Sequence, residues 1–169
     1  MCGLKGLDAL REEVAAFLRN CGLDAVAAWN SGDRLRRDKP VIAVSLRGVQ
    51  GGPAGLTDYL GESLDPDTGR WEELYGKRAK LTLGLDIYAP ASAGEAGCAA
   101  AFARLSEALA GARPAGLGVE ELSCGETSFD KAAGLLRCPA EMTCQVFLFA
   151  RLKEDGMFTD FEVRGSQKQ

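Results

Sequence analysis

Two periods run through the chain. From Lys80 to Pro90 the period is two: Leu81, Leu83, Leu85 and Ile87 fall on one side, and Lys80, Thr82, Gly84, Asp86 and Tyr88 on the other. This predicts a strand with one apolar and one polar face. Met142 to Lys153 alternates in the same way, with Met142, Cys144, Val146, Leu148 and Ala150 against Thr143, Gln145, Phe147, Phe149 and Arg151. Its second face is itself partly apolar, which suggests that something covers it. Pro40 to Gly48 is β-branched at its start and reads as a strand. Leu23–Trp29 and Leu117–Leu122 read as short strands. Met157–Arg164 reads as the last strand, returned by a tight turn at Asp155-Gly156. Pairing of Leu23–Trp29 with Pro40–Gly48 would place Asp33–Lys39 at a hairpin end.

Elsewhere the period is helical. Leu4, Leu7, Leu10, Val14, Phe17, Leu18 and Cys21 trace one face of a helix over Leu4–Asn20, stopped by Gly22. A second helix is expected to open at a capping box, Ser92 to Glu95. It runs through Cys98, Phe102, Leu105 and Leu109 and closes at Gly111 and Pro114. One flank of it is small, with Ala96, Ala99, Ala100 and Ala103. Such a flank lets another backbone approach closely, in the core or across a subunit boundary. Gln50 to Gly76 is the least regular stretch, with glycine and proline punctuation and Tyr59, Trp71 and Tyr75 interleaved. Cys124–Leu136 is also irregular. The expected fold is a single α+β domain over 1–165, a largely antiparallel (mixed) sheet with two helices on one face. A long loop is expected at about 48–76 and a loose tail at 166–169.

Composition narrows the functional classes. The 169 residues carry a net charge of −4, whereas general nucleic-acid binding needs a basic surface. No apolar run approaches the roughly 20 residues of a membrane helix, and Met1–Leu23 reads as a charged amphipathic stretch rather than a targeting segment. A cytoplasmic protein is expected. The chain holds 6 cysteines, no C-x-x-C pair and no histidine. Buried reduced thiols are favoured over disulfides or an all-thiolate metal site, with Cys21 and Cys98 on apolar helix faces and Cys144 on an apolar strand face.

Catalytic constellations are hard to build. Histidine, the usual base near neutral pH, is missing, and there is no G-x-S-x-G motif. Asp86 sits mid-strand on the polar face. The pairs Glu72-Glu73 and Glu120-Glu121 point to opposite faces if they lie in strands. Asp65 and Asp67, in D-P-D-x-G, resemble the start of a calcium loop without its later ligands. "GVQGGPAG" lacks the G-K-[ST] of a phosphate loop. Solvated surface and turn chemistry are the favoured readings, and no catalytic, cofactor or metal residue is assigned. Arg34, Arg36, Arg37 and Lys39 could touch phosphate, but Asp33 and Asp38 blunt them. A charged edge that discourages strand pairing is preferred.

Three stretches carry a resemblance: "GLTDYLGE" (Gly55–Glu62), "ELYGKRAKLTLGLDIYAP" (Glu73–Pro90) and "GETSFDKAAGLLRCPAEMTCQVFLFA" (Gly125–Ala150). In the last, Phe129-Asp130 precedes Arg137 and the long final strand. Together with the order of elements over about 4–164, they resemble prophage-encoded tail proteins of the tail terminator or tail completion family. The resemblance implies a structural role: a ring of identical subunits, typically a hexamer, that caps the phage tail tube and meets the head–tail connector. It implies no enzymatic activity, no cofactor, no membrane contact and no sequence-specific nucleic-acid binding. Its setting would be the host bacterial cytoplasm during assembly and the virion afterwards. Within that reading, loop position and residue type suggest Tyr59, Arg70, Trp71, Tyr75, Lys77 and Arg78, with Ala99 and Ala103, as assembly contacts. Arg34, Arg36 and Arg37 would be basic residues facing a lumen. The alternatives are another tail, head–tail joining or baseplate component, a non-enzymatic adaptor, and a small enzyme acting through a carboxylate or thiol.

Overall fold

The structure, a computed structural model, describes residues 4–27, 38–53, 58–152 and 158–165. It is an α+β fold. Its strands are β1 (Leu4–Lys5), β2 (Ala25–Val26), β3 (Val41–Pro53), β4 (Tyr59–Leu64), β5 (Trp71–Ala89), β6 (Gly118–Cys124), β7 (Ser128–Asp130), β8 (Leu135–Cys138), β9 (Ala140–Leu152) and β10 (Phe158–Gly165). The helices are α1 (Leu7–Asn20) and α2 (Gly94–Leu109). All ten strands belong to one sheet, whose main path runs β1-β10-β9-β5-β3-β2.

β5 is the axis. Its 19 residues span roughly 60 Å at about 3.3 Å per residue. Along one edge lie β3 (Val41↔Tyr88 to Pro53↔Lys77) and then β4 (Tyr59↔Tyr75 to Leu64↔Trp71). Along the other lie β8 (Ile87↔Cys138) and then β9 (Gly84↔Glu141 to Leu74↔Arg151). The far edge of β9 is shared between β6 and β10. Every pairing is antiparallel except β2 with β3.

The odd positions of β5 from Ala79 to Ala89 are buried, as the period of two requires. They meet Ile42 and Val44 of β3 and Ala140, Met142, Cys144 and Val146 of β9. Both helices cover this face. α1 contributes Leu10, Val14, Ala15 and Leu18, and α2 contributes Cys98, Ala101, Leu105 and Leu109. Gly22, at φ +78°, ends α1, with Leu23 N bonded to Leu18 O and Gly22 N to Arg19 O. This is the paired-bond stop that favours glycine. Arg104 of α2 donates to the carbonyl of Gly22 at 2.7 Å and ties the helices together.

Several expectations are corrected. The long loop at about 48–76 is mostly strand. β3 runs to Pro53, and β4 pairs with β5 to make one extended hairpin. Glycines and one extra β4 residue, at the register shift between Tyr59 and Gly61, break the alternation without breaking the ladder. Its end is the Asp65–Arg70 turn, where the Asp65 carboxylate accepts from Asp67 N (2.9 Å) and Thr68 Oγ1 (2.7 Å). The aspartates of D-P-D-x-G thus do turn chemistry. β2 and β3 do not form a hairpin, because they are parallel (Ala25↔Ile42). The capping box is not made: Ala91–Ala93 form a 3₁₀ turn and α2 starts at Gly94 without a side-chain cap. Leu4 is in β1, opposite Val163, rather than in α1. Cys21 is exposed, one residue beyond the helix. The irregular stretch before Leu136 contains β7 and a turn around Asp130 that leads into β8. The turn at Asp155-Gly156, the tail at 166–169 and Arg34, Arg36 and Arg37 lie outside the described residues.

Candidate functional site

The sheet extends past the helix layer. From Trp71 to Arg78, a length of roughly 25 Å, β5 carries β4 on one edge and, from Leu74 onward, β9 on the other. The odd positions here continue the face that the helices cover further along, since β5 keeps its register with β9. Trp71 is 68% exposed and stands opposite Leu64, at 50%. Tyr75 stands opposite Tyr59, their rings edge to face at 5.5 Å. Glu62 and Glu73, opposite each other and exposed, lie between the two pairs on this face, so the four side chains form two apolar patches flanking a carboxylate pair, with no helix over them among the described residues. Both tyrosine hydroxyls titrate above their ordinary value. Desolvation comes first for Tyr59, and the hydrogen bond to Glu73 (2.8 Å) comes first for Tyr75.

The arm therefore brings together Tyr59, Arg70, Trp71 and Tyr75. Lys77 and Arg78 sit at its base, Lys77 in an ion pair with Asp58, and both are exposed. Ala99 and Ala103 do not join this group. They lie on the outer side of α2, exposed with Ala96 and Ala100, opposite its buried Cys98–Leu105 stripe. The candidate contacts thus form two patches, an aromatic arm and a flat alanine flank, both on the helix side of the sheet.

The other face holds a cluster that the sequence did not single out as a set. Asp86 is the one buried charged residue among those described, 8% exposed. It accepts from Arg47 Nη2 at 2.5 Å and from Arg137 Nη2 at 2.8 Å and Nε at 3.2 Å. Arg47 also bonds Glu141 of β9, so its side chain lies across β5. Gly84 makes that possible, because a Cβ there would overlap both Arg47 and Ser45. The Arg137 guanidinium is raised above its ordinary value, chiefly by its hydrogen bond to Asp86. Further along the same face Lys80 pairs with Glu121 at 3.5 Å. Charge-assisted bonds of this kind lock neighbouring strands in register. They also engage both oxygens of the carboxylate that an acid–base reading would use.

The thiols are mostly core. Cys144 is fully buried and burial pushes it up to about 12. Burial also raises Cys98 and Cys138. An open recess of about 730 Å³ beside the end of α2 is walled by residues including Arg113, Glu120, Glu121 and Gln145, with neither Asp86 nor a cysteine among them. No helix of the described residues is long and apolar enough to cross a membrane. No cluster of three or more metal-ligating side chains occurs among them either.

No family model and no curated protein matches the chain significantly.

Proposed function

We propose that the chain is a structural assembly protein of the phage tail terminator type. It would join copies of itself into a ring, typically a hexamer, that caps a tail tube and meets the head–tail connector. The observation that carries the reading is the arm. Tyr59, Leu64, Trp71 and Tyr75 continue the helix-covered face into a region that no helix of the described residues covers. Aromatic residues held rigidly on a sheet are the usual anchors of an interface. A second copy supplies the cover. The exposed alanines of α2 offer a run of small side chains bordered by Glu95, Arg104 and Glu107, and an aromatic arm can lie against it. Because arm and flank are different patches, the contact is head-to-tail, and its repetition gives a ring where the rotation closes.

The resemblance of Glu73–Pro90 and Gly125–Ala150 to tail terminator proteins supports the same reading. The setting would be the host cytoplasm and then the virion. A non-enzymatic adaptor is the second reading. It is favoured by the same arm if the partner is another protein. The test is light scattering behind a sizing column over a concentration series, with and without a phage tail-tube protein. A closed oligomer of several subunits, alone or on the tube, is expected. A monomer under both conditions contradicts the ring.

A further inference from the structure

Cys124 ends β6 opposite Ala140, and Gly125 N bonds Pro139 O at 2.7 Å. Cys138 is the next residue on that same face of the neighbouring strand, because its partner Ile87 points to the helix side as Ala140 does. The two cysteines are therefore diagonal neighbours on one face of an antiparallel pair. The Cys138 Sγ donates to the carbonyl of Gly125, the residue that follows Cys124, at 3.6 Å, which brings it to the end of β6. Burial raises the Cys98 and Cys138 thiols, and the Thr127 hydroxyl lowers both in part. Access is uneven: Cys124 is exposed, Cys138 is 4% exposed and Cys98 is fully buried.

The geometry points to a dithiol–disulfide site at Cys124 and Cys138, oxidised by low-molecular-weight disulfides such as oxidised glutathione. The exposed Cys124 thiolate attacks one sulfur of the reagent and expels a glutathione thiolate. The Cys138 thiolate then attacks Cys124 Sγ in the mixed disulfide and expels the second glutathione. Two protein thiols lose their protons. Two electrons pass to the reagent, which leaves as two molecules of glutathione. Cys98 is closed to the reagent, so it cannot start the sequence. The second step is the slower one, because burial raises the Cys138 thiol and leaves less thiolate at neutral pH. The bond would tie β6 to β8 at Pro139, the one residue between β8 and β9, which has no N–H to give a ladder. It would close the β7–β8 hairpin that carries the exposed Phe129. The site stands apart from the arm and does not depend on the assembly reading.

The test is incubation of the folded protein with excess oxidised glutathione, then intact mass and non-reducing peptide mapping. The expected product has lost two hydrogen masses and joins the Cys124 and Cys138 peptides. A reducing agent reverses it, and its rate rises with pH. Cys124→Ser, at an exposed position, should remain folded and form no link, while Cys98→Ala should retain it. A glutathione adduct that persists on Cys124, a link through Cys98, a link between copies, or no reaction would overturn the assignment.

Discussion

Asp86→Ala is expected to cost about 3 kcal/mol of folding stability. The carboxylate accepts three hydrogen bonds from two guanidiniums. A hydrogen bond to a charged group is worth ~1.5–3 kcal/mol net. The simple total is too high, because the partners are not sealed off: the Arg47 side chain is 27% exposed and that of Arg137 38%. Freed of Asp86, both can turn to water, and Arg47 keeps Glu141. An exposed pair would be worth under about 1 kcal/mol, and a sealed one costs ~3–5 kcal/mol to break. With the Asp86 side chain only 11% exposed, the case lies nearer the second. Urea denaturation reads the cost directly. At a slope of about 2 kcal/mol/M the midpoint should fall by ~1.5 M. A double-mutant cycle with Arg137→Ala should return a coupling of roughly 1–3 kcal/mol. A midpoint shift below ~0.3 M, or additive single mutants, would refute the idea that this cluster holds β3, β5 and β8 together.

Gly84→Ala is expected to destabilise by ~1–2 kcal/mol, because the new methyl displaces Arg47. The cost should largely vanish in an Arg47→Ala background, and an equal cost there would mean that Ser45 alone is the obstacle. Trp71→Ala should leave the unfolding free energy within about 0.5 kcal/mol of the parent, since the ring is 68% exposed, and should abolish the proposed self-assembly, read by light scattering. Ala99→Glu should do the same from the other patch. A mixture of the two variants retains one intact arm-to-flank contact and should stop at a heterodimer, and recovery of full rings would contradict a head-to-tail contact. Alkaline pH should unfold the protein early. The Cys144 thiol is raised from 9.0 to about 12, so the folded state holds this proton more tightly than the unfolded one. Its contribution is fully present below pH 9 and is lost between pH 9 and about 12, at up to ~1.4 kcal/mol per pH unit. Cys98 and Cys138 act in the same direction. Urea midpoints from pH 7 to 10.5 should fall above pH 9, and less steeply in Cys144→Ala; identical slopes would contradict the burial argument.

Local periodicity carried most of the layered fold. The odd residues of β5, the buried stripes of α1 and α2 and the alternation of β9 can all be read from spacing, because each element buries one face only. The stop at Gly22 was legible for a backbone reason, its positive φ. Gln50–Gly76 was not legible as strand. Gly51, Gly52, Pro53 and Gly61 carry turn signals, and the arm has no buried face to impose alternation. What makes these residues strand is the ladder to β5, a tertiary cause. The parallel pairing of β2 was hidden for a similar reason, because close neighbours in sequence ordinarily pair as hairpins. The cluster on the polar face joins residues 39, 51 and 94 positions apart. Asp86 was visible as a polar residue in mid-strand, but nothing local named its partners. The arm aromatics were singled out from loop position and residue type, and the structure places them on one face of the arm.

The two faces of the sheet divide the labour. Along Ala79–Ala89 one face is sealed by helices, and the other holds Asp86 and its arginines. That stretch is held from both sides, so its register cannot slip without exposing leucines and burying lysine and threonine. The arm is an extension of the same strands, and it inherits their register and direction without needing a core of its own. A free two-stranded ribbon is marginal in water, yet here β5 is anchored along most of its length and shared with β9 as far as Leu74. Aromatic side chains at the end of such a lever are displayed in a fixed orientation, with little conformational entropy left to lose on contact. This predicts that Asp86→Ala, though it lies in the sealed half and touches no partner, weakens assembly as well as folding. The weakening should appear below the urea midpoint, as a higher dissociation constant of the still-folded protein. If the folded Asp86→Ala variant assembles as tightly as the parent, the arm does not rely on the sheet for its orientation.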